Sequence, residues 1–238
     1  MVEAAKKLET VKNRLLLALP GDERERMLSK LEEVKLEIRQ VLHEPEEPIE
    51  YVYFPNDAMI SLLSLLADGS TIEVGVLGCE GMSGIASLLS TDSSPYQALV
   101  QTGGTALRTR REVVQEEFER DGSFRTVMLR YTRMLLGQTS QVAACNGLHT
   151  IDERLARWLL MGRDRVHSNY LPLTQEFLSH MLGVRRSGVT VAARTLQQAG
   201  LINYNRGRIN ILDEQGLEQV ACECYAIIKE EFDNFLDG

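Results

Sequence analysis

Between Leu171 and Leu212 the chain changes its hydrophobic period twice, and few folds accommodate that pattern. Pro172 disfavours helix upstream and Thr174 is a good N-cap, so a helix is expected to start there. Phe177, Leu178, Met181 and Leu182 then recur at helical spacing and form one apolar face. Gly183 follows where that helix must stop and turn. A second helix is predicted from about Arg185 to Gln198, with Val189, Ala192, Ala193 and Leu196 as its buried stripe. Gly200 ends it. Leu201-Ile202 and Ile209-Asn210-Ile211 then alternate like strands around the turn Asn205-Arg206-Gly207-Arg208.

The pattern predicts two helices joined by a tight turn, followed by a β wing. The second helix turns Arg185, Arg186, Ser187, Thr190 and Arg194 away from its apolar stripe. Arginine can bond a guanine edge at two points, and the major groove of double-stranded DNA admits a helix. Ser187 and Thr190 are small and allow close approach. Arg206 and Arg208 in the wing add phosphate-seeking charge. The alternative is an ordinary helical hairpin with a solvated basic face. The whole chain carries a formal net charge of −8, which by itself would disfavour nucleic acid. Its distribution decides otherwise. Residues 171–211 hold five arginines and one glutamate, whereas residues 212–238 hold eight acidic residues and one lysine. At cellular salt, charges interact over only about 8–10 Å, so a local basic face can attract phosphate within an acidic protein.

Upstream, the first 43 residues read as helical. Leu8, Val11, Leu15, Leu16 and Leu19 share a spacing that Pro20-Gly21 breaks, and Asp22 is placed to cap a second segment. From Val34 to Arg39 the period becomes two, and short alternating segments follow as far as Arg110. These include Tyr51–Phe54, Met59–Leu66, Thr71–Val76, Ala98–Thr102 and Ala106–Arg110. Short strands without intervening helices indicate an antiparallel sandwich or barrel. The glycine-rich loop Gly78–Gly84 lacks a P-loop lysine and reads as a tight barrel corner rather than a phosphate cradle.

A short amphipathic helix over 112–121 leads into a much longer one. In the longer helix Phe124, Met128, Tyr131, Leu135, Gln138, Val142 and Cys145 follow a heptad seam, which predicts a homodimer interface. A two-fold dimer would double the DNA contacts and set half-site spacing. Thr150-Ile151-Asp152-Glu153 is a capping box that opens a new helix, and Trp158 is expected in its core.

Composition excludes several classes. A hydrophobic fraction of 44% and a charged fraction of 25% are ordinary for a globular protein. The longest apolar stretch is too short to span a bilayer, and the charged start MVEAAKKLE has no signal-peptide core. A cytoplasmic protein without membrane partners is expected. No catalytic arrangement of Ser, His and Asp or of paired carboxylates stands out. No cofactor or metal ligand is assigned. His43, His149, His167 and His180 have no ligand spacing, Cys79 and Cys145 are isolated, and Cys222-x-Cys224 is shorter than a zinc CxxC half-site. Placed within a helix, that pair would point its thiols to different faces.

Several of these segments also resemble the CRP/FNR family of bacterial transcription regulators. The resemblance runs from about Asn13 to Asn210. It is carried by Val52-Tyr53-Phe54-Pro55, Asp68-Gly69, Glu73-Val74-Gly75 through Glu80-Gly81-Met82, Glu153-Arg154-Leu155-Ala156, Leu173 through Leu178, and Leu182 through Arg186. It implies an α+β chain with an N-terminal jelly-roll sensor domain with its leading helices (1–111), linking and dimerisation helices (112–149) and a winged helix-turn-helix domain (150–238). It further implies a homodimer that binds a near-palindromic promoter site and contacts RNA polymerase. Two departures matter. Cyclic-nucleotide-binding members carry a ribose-binding glutamate and a phosphate-binding arginine. The matching stretches here are Gly84-Ile85-Ala86 and Tyr96-Gln97-Ala98, so Ile85 and Tyr96 stand at those positions in a degenerate pocket, with the effector unassigned. In the recognition helix Arg186 keeps the family's first arginine, while Ser187 replaces a glutamate and Val191 a second arginine. Arg186, Ser187 and Thr190 are therefore expected at base edges, with Thr174, Arg185, Arg194, Arg206 and Arg208 at phosphates. The rival reading is a small-molecule or redox sensor whose winged domain mediates protein interaction.

Overall fold

The computed structural model describes residues 10–89 and 91–236. The described residues divide into two compact units, one built from those within 10–62, 76–136 and 234–236, the other from Leu63–Gly75 and Gly137–Asp233.

The first unit opens with α1 (Arg14–Leu17) and α2 (Gly21–Lys30). The predicted first helix is interrupted: Thr10 is helical, residues 11–13 are not, and Leu8 lies outside the described residues. Asn13 fixes where α1 begins. Its Oδ1 accepts from the Leu16 amide at 3.3 Å, and its Nδ2 donates to the carbonyls of Pro55 at 3.0 Å and Gly81 at 2.8 Å. One fully buried amide thus caps the helix and satisfies two loop carbonyls that would otherwise be costly to bury, at about 1–3 kcal/mol each. The second segment starts at Gly21 after Pro20, not at a cap on Asp22. Proline already fixes an extended entry into the helix there.

The strands are β1 (Glu32–Leu36), β2 (Val41–His43), β3 (Tyr51–Pro55), β4 (Met59–Leu65), β5 (Thr71–Leu77), β6 (Gln97–Thr102) and β7 (Gly104–Arg110). They form two sheets, ordered β1-β7-β3 and β2-β6-β4-β5. β7 pairs antiparallel with β1 (Val34 opposite Ala106) and with β3 (Phe54 opposite Leu107). The non-sequential order is that of a sandwich, and Val52, Phe54, Ile60, Val100 and Leu107 fill it with no exposed surface. The predicted strand Val34–Arg39 is shifted to Glu32–Leu36, while the barrel-corner reading of Gly78–Gly84 matches the fold. There, a Cβ on Gly81 would lie 2.8 Å from the Tyr131 hydroxyl.

In the stretch that aligns with a nucleotide pocket, Gly84 has a left-handed backbone (φ 95°) and leads into a single 3-10 turn, Ile85–Leu88. Ile85 and Tyr96 are half-buried. Gln97 Nε2 donates to Glu44 Oε2 at 2.8 Å, which sets a carboxylate beside this stretch. His43 is buried edge-on to Tyr53, and its Nε2 has no hydrogen-bond partner.

Two helices follow, α3 (Arg111–Glu119) and the long α4 (Ser123–Leu148). Here the predicted dimer seam needs correction. Phe124, Met128 and Tyr131 are fully buried within a single chain, and Tyr131 donates to the Met82 carbonyl at 2.9 Å. In the second unit Gln138, Val142 and Cys145 are likewise buried, and only Leu135 of the seam is half-open. The heptad reports packing against the chain's own core. On another face α4 leaves apolar residues to solvent, among them Leu129, 49% exposed, and Leu136, 67% exposed, seven residues apart. Among the described residues, no helix is long and apolar enough to cross a membrane.

Burial without a partner holds His43 neutral and lowers its pKa from 6.5 to about 4. The unfolded chain would take up that proton near pH 6.5, so the stability contributed is intact above pH 6.5. It is lost as pH falls toward 4, by about 3 kcal/mol at the limit. Urea midpoints measured between pH 7 and pH 4.5 are expected to fall for the wild type and to fall less for His43→Asn.

Candidate nucleic-acid interface

The second unit begins its C-terminal part with α5 (Ile151–Val166), and the expected capping box is present. Thr150 Oγ1 accepts from the Glu153 amide at 3.5 Å, and Glu153 Oε2 accepts from the Thr150 amide at 2.7 Å. Trp158 is buried as expected, and its Nε1 donates to Glu73 Oε1 at 2.9 Å. Its ring meets Phe177 edge-on with centroids 6.3 Å apart. That contact seats α6 (Gln175–Leu182) on α5.

Thr174 caps α6, accepting from the Phe177 amide at 3.1 Å. Gly183 ends it with φ 60°. Two constraints coincide at that residue. The left-handed backbone favours glycine, and a Cβ would lie 2.6 Å from Ile72 Cδ1. The turn leads directly to α7 (Arg186–Gln198), which starts one residue later than expected because Arg185 is its N-cap. Arg185 makes no side-chain cap bond, so the first amides of α7 remain available, with the positive end of the helix dipole facing outward. Val189, Ala192, Ala193 and Leu196 are buried as predicted.

The ribbon consists of β8 (Tyr170–Leu171), β9 (Ile202–Asn205) and β10 (Arg208–Ile211), ordered β8-β10-β9. β9 and β10 pair with Arg208 opposite Asn205 and Ile211 opposite Ile202. The two-residue turn between them, Arg206-Gly207, has φ of 48° and 76°, as a type I′ hairpin requires. Arg206 is therefore held at the wing tip by backbone geometry.

The structure brings three of the eight predicted DNA-contacting residues, Thr174, Arg186 and Arg206, to one cleft of about 370 Å³, which Gly207 also lines. Arg185, Arg186, Ser187, Arg194, Arg206 and Arg208 are exposed. No ion pair engages any of these arginines among the described residues, whereas Arg26, Arg108, Arg111, Arg120, Arg125 and Arg163 all have carboxylate partners. The reading face thus carries uncommitted positive charge. Thr190 is less free than predicted. It is half-buried, and its hydroxyl lies 2.9 Å from Gln175 Oε1 and 3.0 Å from the Arg186 carbonyl. Two cleft residues were missed by sequence reasoning, Gln175 and Tyr204. Gln175 follows the cap directly and its amide is polar, so its position was the available signal. Tyr204 alternates outward on β9 opposite Ile209, a register that only the paired ribbon reveals.

Comparison with known proteins agrees with this architecture. Residues 33–121 match the cyclic nucleotide-binding domain family, and residues 153–220 match the Crp-like helix-turn-helix domain family. A sequence search of curated proteins found no match. Among solved structures, a protein from Eubacterium rectale assigned to the CRP/FNR family of transcriptional regulators is 17% identical, with a TM-score of 0.70 over 87% of this chain and 97% of its own. FixK2 from Bradyrhizobium japonicum is 19% identical, with a TM-score of 0.69 over 81% and 98%. A CRP-family transcriptional regulator from Thermus thermophilus is 18% identical, with a TM-score of 0.68 over 79% and 96%. At these identities the structural likeness is one of fold.

Proposed function

We propose that the chain is a transcription regulator of the CRP/FNR family that acts in the cytoplasm as a homodimer on a near-palindromic promoter site without control by cAMP. The observation that carries this reading is the set of exposed arginines without ion-pair partners on α7 and the wing, two of which line one cleft. Arg186 and Ser187 read base edges from the first turn of α7. Thr190 works beside them, and its hydroxyl orients Gln175. Thr174, Arg185, Arg194, Arg206 and Arg208 hold phosphates, which position the helix but carry no sequence information. RNA polymerase is the expected protein partner at a promoter.

Two-fold symmetry follows from the target: two copies of one reading helix match a palindrome. The surface that supports pairing is the exposed row on α4 with Leu129 and Leu136, in place of the buried heptad seam. Independence from cAMP rests on Ile85, which offers no ribose acceptor, on Tyr96, which offers no positive charge for a phosphate, and on the Glu44 carboxylate beside Gln97.

A mobility shift on the DNA upstream of the protein's own coding region tests the reading as a whole; absence of any sequence-preferred shift would sink it. Arg186→Ala is expected to weaken specific binding by about 1–3 kcal/mol and to relax preference at one base pair in each half-site. Arg206→Ala is expected to weaken all sequences alike and to lower the salt slope by about one. Leu136→Glu is expected to yield monomers in analytical ultracentrifugation with loss of operator affinity, whereas Phe124→Ala should chiefly destabilise the fold. Calorimetric titration with cAMP is expected to show no submicromolar binding.

A further inference from the structure

Four side chains far apart in the sequence converge in the second unit. Cys145 lies on the last turns of α4, and His149 follows one helical turn later, its amide still bonded to the Cys145 carbonyl at 3.1 Å. Cys222 and Cys224 stand at the break between α8 (Glu214–Val220) and α9 (Cys224–Asn234). That break corrects the reading of the pair as two positions within one helix. Cys222 is outside both helices and Cys224 opens the second, so the backbone is free to turn both thiols inward. The three sulfurs and an imidazole nitrogen all lie within 4.8 Å of one another. Cys145 Sγ is 3.5 Å from Cys222 Sγ, and Cys224 Sγ is 3.5 Å from His149 Nδ1. A tetrahedral zinc centre with bonds of about 2.3 Å to sulfur spaces its sulfurs by about 3.8 Å. The cluster therefore matches such a centre to within about 1 Å.

Two further observations point to a cation. The first is the support around the ligands. His149 presents Nδ1 to the cluster and its other nitrogen, Nε2, to Glu223 Oε2 at 3.2 Å. A metal-ligating histidine is commonly oriented by a carboxylate in this way. Gln141 Nε2 donates to Cys224 Sγ at 3.1 Å, which suits a thiolate. The second is charge. Arg154 and Arg157 are buried, 6% and 3% exposed, and neither has a carboxylate partner among the described residues. The Nε of each has no hydrogen-bond partner. Cys145 is an electrostatic neighbour of both guanidinium groups, and Cys222 of Arg154. Neutral thiols would leave two buried cations without an anion, at high cost. Three thiolates and a neutral imidazole around a divalent ion carry one net negative charge, which offsets one of them.

We propose that Cys145, His149, Cys222 and Cys224 form a tetrahedral Cys3His site for zinc or a similarly soft divalent metal, fastening the α8–α9 junction to the end of α4. Two ligands come from the junction and two from the end of α4 and the residue after it, so the ion would act as a cross-link between segments distant in sequence.

The test uses the full chain, reduced and stripped with a chelator, then titrated with cobalt(II). One equivalent is expected to produce intense visible bands of tetrahedral cobalt with sulfur-to-metal charge transfer, and zinc should bleach them. Cys222→Ser and Cys224→Ser are expected to weaken zinc by at least about 100-fold against a competing chelator, beyond what loss of an outer-shell partner costs. Glu223→Gln keeps all four ligands and is expected to weaken zinc by about tenfold. Cys79→Ser should change nothing. A pale octahedral cobalt spectrum from the wild-type chain would overturn the proposal, as would zinc binding that survives in Cys222→Ser. A Cys145–Cys222 disulfide found by mass spectrometry in protein kept under reductant would also overturn it.

Discussion

The reading unit depends on one turn, at Gly183. The apolar faces of α6 and α7 have to reach the same core while the polar face of α7 stays outward. That requires an abrupt reversal of direction with no side chain in the way. The left-handed backbone of Gly183 supplies the reversal, and Ile72 occupies the space where a Cβ would project. Neighbouring contacts remove the remaining freedom. Trp158 fixes α6 through Phe177, and the Arg154 guanidinium donates to the Leu182 carbonyl at the end of the helix. Once the turn is fixed, the orientation of Arg186 and Ser187 follows from helical geometry.

Electrostatics then separates the reading face from the rest of the chain. Several arginines elsewhere are paired: Arg26 binds Glu117 with two bonds from Nε at 3.0 and 3.1 Å, and the partnership holds the buried Glu117 carboxyl below the usual carboxylate range. The arginines of α7 and the wing have no such partners. An exposed ion pair contributes little to stability, so leaving these side chains unpaired costs the fold little and leaves their charge available to phosphate. The acidic residues after Leu212 lower the net charge without neutralising that face, because screening limits their reach.

Much of this was legible in the sequence where a local rule sufficed. The cap at Thr174, the capping box at Thr150, the turn at Gly183 and the wing tip each require particular residues at adjacent positions, and the structure has them. Readings failed where periodicity was asked to name a partner. The seam from Phe124 to Cys145 is a real apolar stripe, but a period reports only that a face is covered. Tyr131 reaching the Met82 carbonyl and Cys145 lying against Cys222 show that the cover is the chain itself. The exposed row at Leu129 and Leu136 has too few residues to stand out by pattern. The N-terminal stripe misled in the same way, because the chain leaves the helix at 11–13, where Asn13 caps the next segment and bonds residues far along the chain.

The cysteine cluster shows the same limit for chemistry. Linear spacing identifies a metal site when the ligands fall in short loops or on one helix turn, as in CxxC pairs. Here the only local signals are Cys145 with His149, four residues apart, and Cys222 with Cys224, two apart, and neither is a recognised half-site. What unites them is the break between α8 and α9, which depends on how Leu217, Tyr225 and Ile228 are buried. The two buried arginines beside the cluster are equally silent in sequence, since arginine is usually an exposed residue. A buried guanidinium without a carboxylate is costly, and it persists where an anion compensates it. Thiolates are the anions that this region can supply, and a divalent cation is what would hold three of them together.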